Sequence, residues 1–198
     1  WNALTRLRDN VSLETLTAEQ RRSLNSTIEN FKRQGAALDE AAKAQLTKID
    51  SELAVETNLF TENVVYAADQ YELIVTDESR LSGLPASEVE AARSSAERKN
   101  IDGWRFTLQG PSYVAAMTYL EDRALRETLY RAFNGRATES PYDNSSRMAA
   151  ILRLRSEKAR LLGYRDVADL YLENRMVKSG QAAQHFVDSL VERTRPSS

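Results

Sequence analysis

The stretch Leu120–Ala137, LEDRALRETLYRAFNGRA, sets four arginines into eighteen residues. Arginines at this density grip phosphates in a nucleic-acid groove or pair with carboxylates of their own chain. Spacing separates these uses. Asp122 and Arg126, Arg123 and Glu127, and Glu127 and Arg131 each stand four apart, on one face of a helix. Leu125, Leu129 and Phe133 supply the apolar stripe of the same helix. A nucleic-acid groove would leave its arginines unpaired and add exposed stacking aromatics. The expectation is therefore an ion-paired scaffold helix. Arg136 has no obvious carboxylate partner, and spacing leaves its role undecided.

The other residue types that do chemistry are sparse. His185 is the only histidine, so a zinc site of the usual three or four ligands has no second imidazole to draw on. A serine triad would need the same His185, and no Gly-x-Ser-x-Gly elbow is present. There are no cysteines, which excludes disulfides, thiolate metal sites and thiol catalysis. No glycine-rich phosphate loop occurs. The 29 acidic residues offer many pairs for acid–base work, but no spacing singles one out. Asn25-Ser-Thr27 and Asn144-Ser-Ser146 match the glycosylation pattern, although both sit at or in expected helix starts. Residue by residue, no active site emerges.

The elements that would position these groups are mostly helical. Thr17-Ala-Glu-Gln20 is a capping box ahead of Leu24, Ile28 and Phe31, and Gly35 stops that helix. Asp39 caps the next, on which Ala42, Leu46, Ile49, Leu53, Phe60, Val64, Ala67, Tyr71 and Ile74 form a near-heptad seam. A short helical turn from Thr76-Asp77 ends at Gly83 and Pro85, and Ser87-Glu-Val-Glu90 reads as a second capping box. Trp104–Leu108 alternates apolar and polar residues, the one credible strand; either Leu73-Ile-Val75 pairs with it or its partner lies outside this chain. Gly110-Pro111 breaks it and Ser112 starts the next helix. Further helices are expected near 112–119, 121–137, 145–162, 166–175 and 180–195. Asn144 and Ser179 are the expected N-caps, and Gly163 a left-handed C-cap. The predicted fold class is all-α: an antiparallel helical array with one long helix and at most a minor strand or hairpin.

Composition agrees with a globular chain: 198 residues, 41% hydrophobic and 28% charged, with a net charge of −2 that favours neither nucleic acid nor an anionic membrane. No apolar run approaches a membrane span. Both ends read as cuts. The chain starts at Trp1 inside a helical pattern, and the expectation is a single helical piece over residues 1–198.

The order of motifs from the strand onward resembles one family. Trp104-Arg-Phe-Thr-Leu-Gln-Gly-Pro-Ser-Tyr113, Met117-Thr-Tyr119, Arg123-Ala-Leu-Arg-Glu127 and Tyr130-Arg-Ala132 are similar to the zinc-dependent oligopeptidase A and thimet oligopeptidase family. The likeness continues through Arg136-Ala137, Asp143-Asn-Ser145, Ile151-Leu-Arg-Leu-Arg155, Ala159-Arg-Leu-Leu-Gly-Tyr164, Ala168-Asp169, Met176 and Arg195-Pro196. Upstream, Phe60-Thr-Glu-Asn-Val64 and Thr76–Pro85 resemble the bacterial oligopeptidase A branch. Arg175-Met-Val177 departs from the family's usual Met-Ala.

The resemblance implies two mostly helical halves flanking a deep channel that admits short peptides. It implies a cytoplasmic, monomeric parent enzyme. Zinc there is held by a His-Glu-x-x-His helix and a later glutamate, and the motif's own glutamate activates the bound water. His185 is followed by Phe186, so that motif is not in this chain. The expectations are a non-catalytic part of an N-terminal half, with about 121–198 leading into the peptidase domain, inactive alone, binding no zinc itself and lacking its C-terminal catalytic half. Arg136 is the one residue offered for the substrate channel, facing a peptide's C-terminal carboxylate. The alternative is a helical protein- or peptide-binding module without enzymatic activity, using the 42–74 seam as its face.

Overall fold

The computed structural model of the chain describes residues 1–10 and 16–195. In chain order these form α1 (Asn2–Asn10), α2 (Ala18–Arg33), α3 (Glu40–Gln70), β1 (Leu73–Val75), a 3₁₀ turn (Glu78–Leu81), α4 (Ala86–Glu97), β2 (Trp104–Phe106), α5 (Gly110–Tyr119), α6 (Arg123–Asn134), α7 (Ser145–Leu161), α8 (Val167–Leu172) and α9 (Gly180–Thr194). Helices dominate and the strands form one antiparallel pair, as the sequence pattern predicts. Pro196, in the closing motif of the resemblance, lies outside the described residues.

The backbone divides into two compact units, residues 56–149 and residues 1–55 with 150–198. In the first, β1 and β2 pair in the register Leu73↔Phe106, Ile74↔Arg105 and Val75↔Trp104. Strand alternation turns Val75, Trp104 and Phe106 inward, where they join Leu81, Ala92, Leu108, Ala116, Leu120, Leu125 and Leu129 in one apolar cluster. Gly103 makes the pairing possible. Its φ is +108°, and a Cβ there would lie 2.4 Å from the Val75 carbonyl oxygen. In the second unit, Leu24 and Ile28 of α2, Leu46 and Ile49 of α3, Ile151, Leu154 and Ala159 of α7 and Leu170 of α8 are buried. Ion pairs tie the same segments together: Lys158 Nζ stands 2.6 Å from Asp50 Oδ1, and Arg33 Nη1 is 3.2 Å from Glu173 Oε2.

Most helix starts use the caps the sequence announces. Thr17 and Gln20 form the reciprocal capping box, Asp39 accepts from the Ala42 amide at 2.8 Å, and Ser179 accepts from the Ala182 amide at 3.2 Å. Gly35 and Gly163 hold the left-handed φ values, +87° and +86°, at the ends of α2 and α7. Four expectations are corrected. α4 opens at Ala86 behind Pro85 and has no side-chain cap, so Ser87 lies in its first turn and caps nothing. The Pro85 carbonyl accepts from the Glu88 and Val89 amides, and proline's fixed φ suits a helix entrance. α5 starts at Gly110 with Pro111 in its first turn, where its missing N–H is harmless, and Ser112 Oγ accepts from the Thr107 amide. α3 ends at Gln70, so Tyr71 and Ile74 leave the seam, and Ile74 becomes a β1 residue facing outward.

The fourth correction concerns Asn144. Its carbonyl opens α7 by accepting from the Met148 amide, so it holds the N-cap position, but its side chain caps nothing; Asp143 accepts instead from the Ser145 amide and hydroxyl. Asn144 is 2% exposed, donates to the Phe60 carbonyl at 3.0 Å and accepts from Asn63 Nδ2 at 2.9 Å. It pins the start of α7 to α3, a burial that removes it as a glycosylation acceptor.

Candidate functional site

The arginines of α6 are only partly paired as their spacing suggests. Glu127 and Arg131 form the i,i+4 pair at 2.8 Å. Asp122 does not pair with Arg126. It accepts from the Leu125 amide at 3.0 Å as the N-cap of α6 and from Arg80 Nε at 2.7 Å. The Arg80 hydrogen bond, then the Leu125 amide, hold its carboxyl below the usual carboxylate range. Arg126 turns back to donate to the Leu120 carbonyl. No ion pair joins Arg123 to Glu127 among the described residues. An N-cap carboxylate has one oxygen committed to the backbone, and a partner from another element took the other.

Arg136 lies in the turn after α6, with its guanidinium carbon 3.5 Å from the centroid of Phe133. Phe133 stacks in turn on Tyr113 of α5, the ring centroids 4.0 Å apart and 13° from parallel. The guanidinium is therefore the end layer of a three-tier stack. Its Nε is buried without a hydrogen-bond partner, and no carboxylate pairs with it among the described residues. Stacking fixes the plane of a guanidinium while leaving its terminal N–H groups unengaged, an arrangement able to take a carboxylate edge-on.

A second feature was not visible in the sequence. Within residues 56–149, α4, β2, α5 and the last turn of α3 enclose a cleft of about 510 Å³. Arg98, Lys99 and Arg105 stand at one part of its wall, Asp69 and Glu88 at others, and Ala68, Ala91, Ala92 and Ala115 line it with nothing larger than methyl groups. Arg105, only 14% exposed, donates to Ser95 Oγ at 2.8 Å and stands 3.1 Å from Glu72. Lys99 binds the same Glu72 oxygen. Lys99 first, then Arg105, hold the Glu72 carboxyl below its ordinary range. Strand pairing brings these three together from positions 72, 99 and 105, and no local spacing announces it.

His185 is exposed on α9. Among the described residues no group of three His, Asp or Glu side chains is placed to hold a metal ion. No helix of the described residues is long and apolar enough to cross a membrane.

The comparisons with known proteins agree with one another. Residues 116–198 match peptidase family M3. Over 99% of its length the chain is 36% identical to oligopeptidase A of Haemophilus influenzae, covering 30% of that protein. Throughout its length the chain is similar to oligopeptidase A. A probable cytosolic oligopeptidase A of Arabidopsis thaliana is 32% identical across the whole chain, which covers 28% of it. Further out, a dipeptidyl carboxypeptidase of Escherichia coli is 29% identical over 91% of the chain, which covers 27% of it. The chain thus spans about 30% of the length of the oligopeptidase A relatives it matches. The α6 helix and Arg136 fall inside the family M3 match, whereas every residue lining the cleft precedes it.

Proposed function

We propose that this chain is a non-catalytic helical part of a cytoplasmic metallo-oligopeptidase that hydrolyses short peptides in a channel. The observation that supports this best is the 36% identity to an oligopeptidase A across 99% of the chain. Zinc and its ligands belong, in this reading, to sequence outside these residues, and the chain alone neither hydrolyses peptides nor holds stoichiometric metal. Its own contribution is to build a wall and to orient substrate.

Arg136 is the residue we assign to that orientation. Stacked on Phe133 and lacking a carboxylate of its own, it would receive a peptide's C-terminal carboxylate through its terminal N–H groups. The test has two stages. The source gene is first read beyond the codon for Ser198, and a continuing frame should contain His-Glu-x-x-His and a later glutamate. The whole protein should then cleave a quenched fluorogenic peptide, and Arg136→Ala should raise KM for free-ended peptides more than for C-terminally amidated ones. A frame without the motif, or a whole protein inert toward peptides, would overturn the reading. Equal effects of Arg136→Ala on both peptides would remove Arg136 from it.

A further inference from the structure

We propose that the cleft of α4, β2 and α5 is a binding site for a short peptide in extended form, with its carboxylate at the Arg98–Lys99–Arg105 end and its amine at the Glu88 end. The charges of the cleft are sorted along its length. α4 ends at Glu97 and packs on β2, which starts at Trp104, so the short link reverses the chain and gathers Arg98, Lys99 and Arg105 at one end. Glu72 neutralises one of the three. Arg98 has no carboxylate partner among the described residues. Glu88, in the first turn of α4, marks the opposite end and has no cationic partner among the described residues, and Asp69 meets the Gln109 amide there.

Glu88 and Arg98 are ten residues apart on α4 and its continuation, roughly 15 Å along the axis. An extended tetrapeptide spans about 13 Å, so its two ends reach both charged ends at once. The volume of about 510 Å³ is that of a small-ligand site. Alanines at 68, 91, 92 and 115 let a peptide backbone lie close to α4 and α5. A polyanion fits badly, because the acidic end repels the charge that the basic end attracts. The inference deepens the peptidase reading and rests on it only for choosing peptides among dipolar molecules.

The experiment titrates tetra-alanine with free ends into the full chain, followed by calorimetry and by amide NMR shifts of α4 and β2. C-terminal amidation and Arg98→Gln should each weaken binding at least about tenfold, the loss expected when a charge-assisted contact goes. N-terminal acetylation and Glu88→Gln should each weaken it several-fold. Ala91→Phe, at an exposed helix position where the fold tolerates it, should fill the cleft and abolish binding. No binding at millimolar peptide would sink the proposal. So would equal affinity for blocked and free ends, or full competition by inorganic phosphate at the peptide's own concentration. Because hydrolysis by the whole protein is measured separately, lost binding with intact hydrolysis condemns only the cleft. Binding without hydrolysis condemns only the peptidase reading.

Discussion

The two units of this chain are held together differently. Residues 56–149 concentrate ten buried apolar side chains in one cluster, with Leu129 and Ala116 fully sealed from solvent. The other unit draws its buried residues from four helices, and neither α1 nor α9 buries any side chain. Phe186, Val187, Leu190 and Val191 of α9 are all between 43% and 56% exposed. Ion pairs and a tyrosine–carboxylate bond also join segments there. The contrast teaches that helix content and core density are separate quantities, and that the cleft sits on the dense side. Opening free energies should follow burial, so amide exchange is expected to be slowest in β1, β2 and α6 and fastest in α1 and α9. Comparable protection in α9 and α6 would break the comparison.

The largest effect should come from Leu129→Ala. It empties a fully buried position in the packed cluster and should cost roughly 3–5 kcal/mol in urea unfolding. Val187→Ala on α9 is the control, expected within about 0.5 kcal/mol because half of that side chain already meets water. Next comes Gly103→Ala. The left-handed φ and the 2.4 Å approach to the Val75 carbonyl should together cost roughly 2–3 kcal/mol and loosen the β1–β2 pair. Asn144→Ala leaves the Asn63 amide and the Phe60 carbonyl without their partner, and should cost roughly 1–3 kcal/mol. Asn144→Asp, which keeps the shape but loses the donor, should do no better.

Tyr164→Phe sharpens the other side of the comparison. The Tyr164 hydroxyl donates to Glu173 Oε2 at 2.6 Å, beside Arg33. Burial, then the acceptor Glu173, push its pKa up to about 12. A tyrosine whose folded pKa is raised loses its contribution as pH climbs from its ordinary value of 10.0 through about 12, since the unfolded chain ionises first. Stability should therefore fall across that window, and Tyr164→Phe should flatten this part of the profile while costing about 1 kcal/mol at neutral pH. An unchanged alkaline limb in the variant would show that the bond carries nothing.

What the sequence made legible follows from how local each cause is. Thr17, Asp39 and Ser179 act within one turn, so their caps could be read directly. The strand at Trp104–Leu108 was readable because alternation is also local, whereas its partner stayed open until β1 was seen to pair with it. Asn144 was misread because its buried partners are 81 and 84 residues away, at Asn63 and Phe60. Asp122 was misread because an N-cap with a partner on another element outcompeted an i,i+4 pairing. The cleft was illegible for the same reason: Glu72, Lys99 and Arg105 meet only after β1 finds β2. Arg136 could be singled out for what it lacked, a nearby carboxylate, but its seat on Phe133 depends on a turn geometry that no spacing gives.

The smallest expected effect belongs to the arginine pair that spacing did anticipate. Glu127 and Arg131 lie on the exposed face of α6, at 54% and 76% exposure, so both ends are well solvated and screened by salt. Arg131→Gln should cost only about 0.3–0.5 kcal/mol, and the difference should vanish in 1 M salt. Arg80→Gln makes the useful counterpart, since Arg80 reaches from the 3₁₀ turn to the N-cap of α6 and its partner Asp122 is only 20% exposed. Its loss should exceed that of Arg131→Gln and persist in salt, because Asp122 would keep its cap but lose its charge partner. If the two variants proved equal, the long-range clip from Arg80 to Asp122 would contribute no more than a pair within one helix.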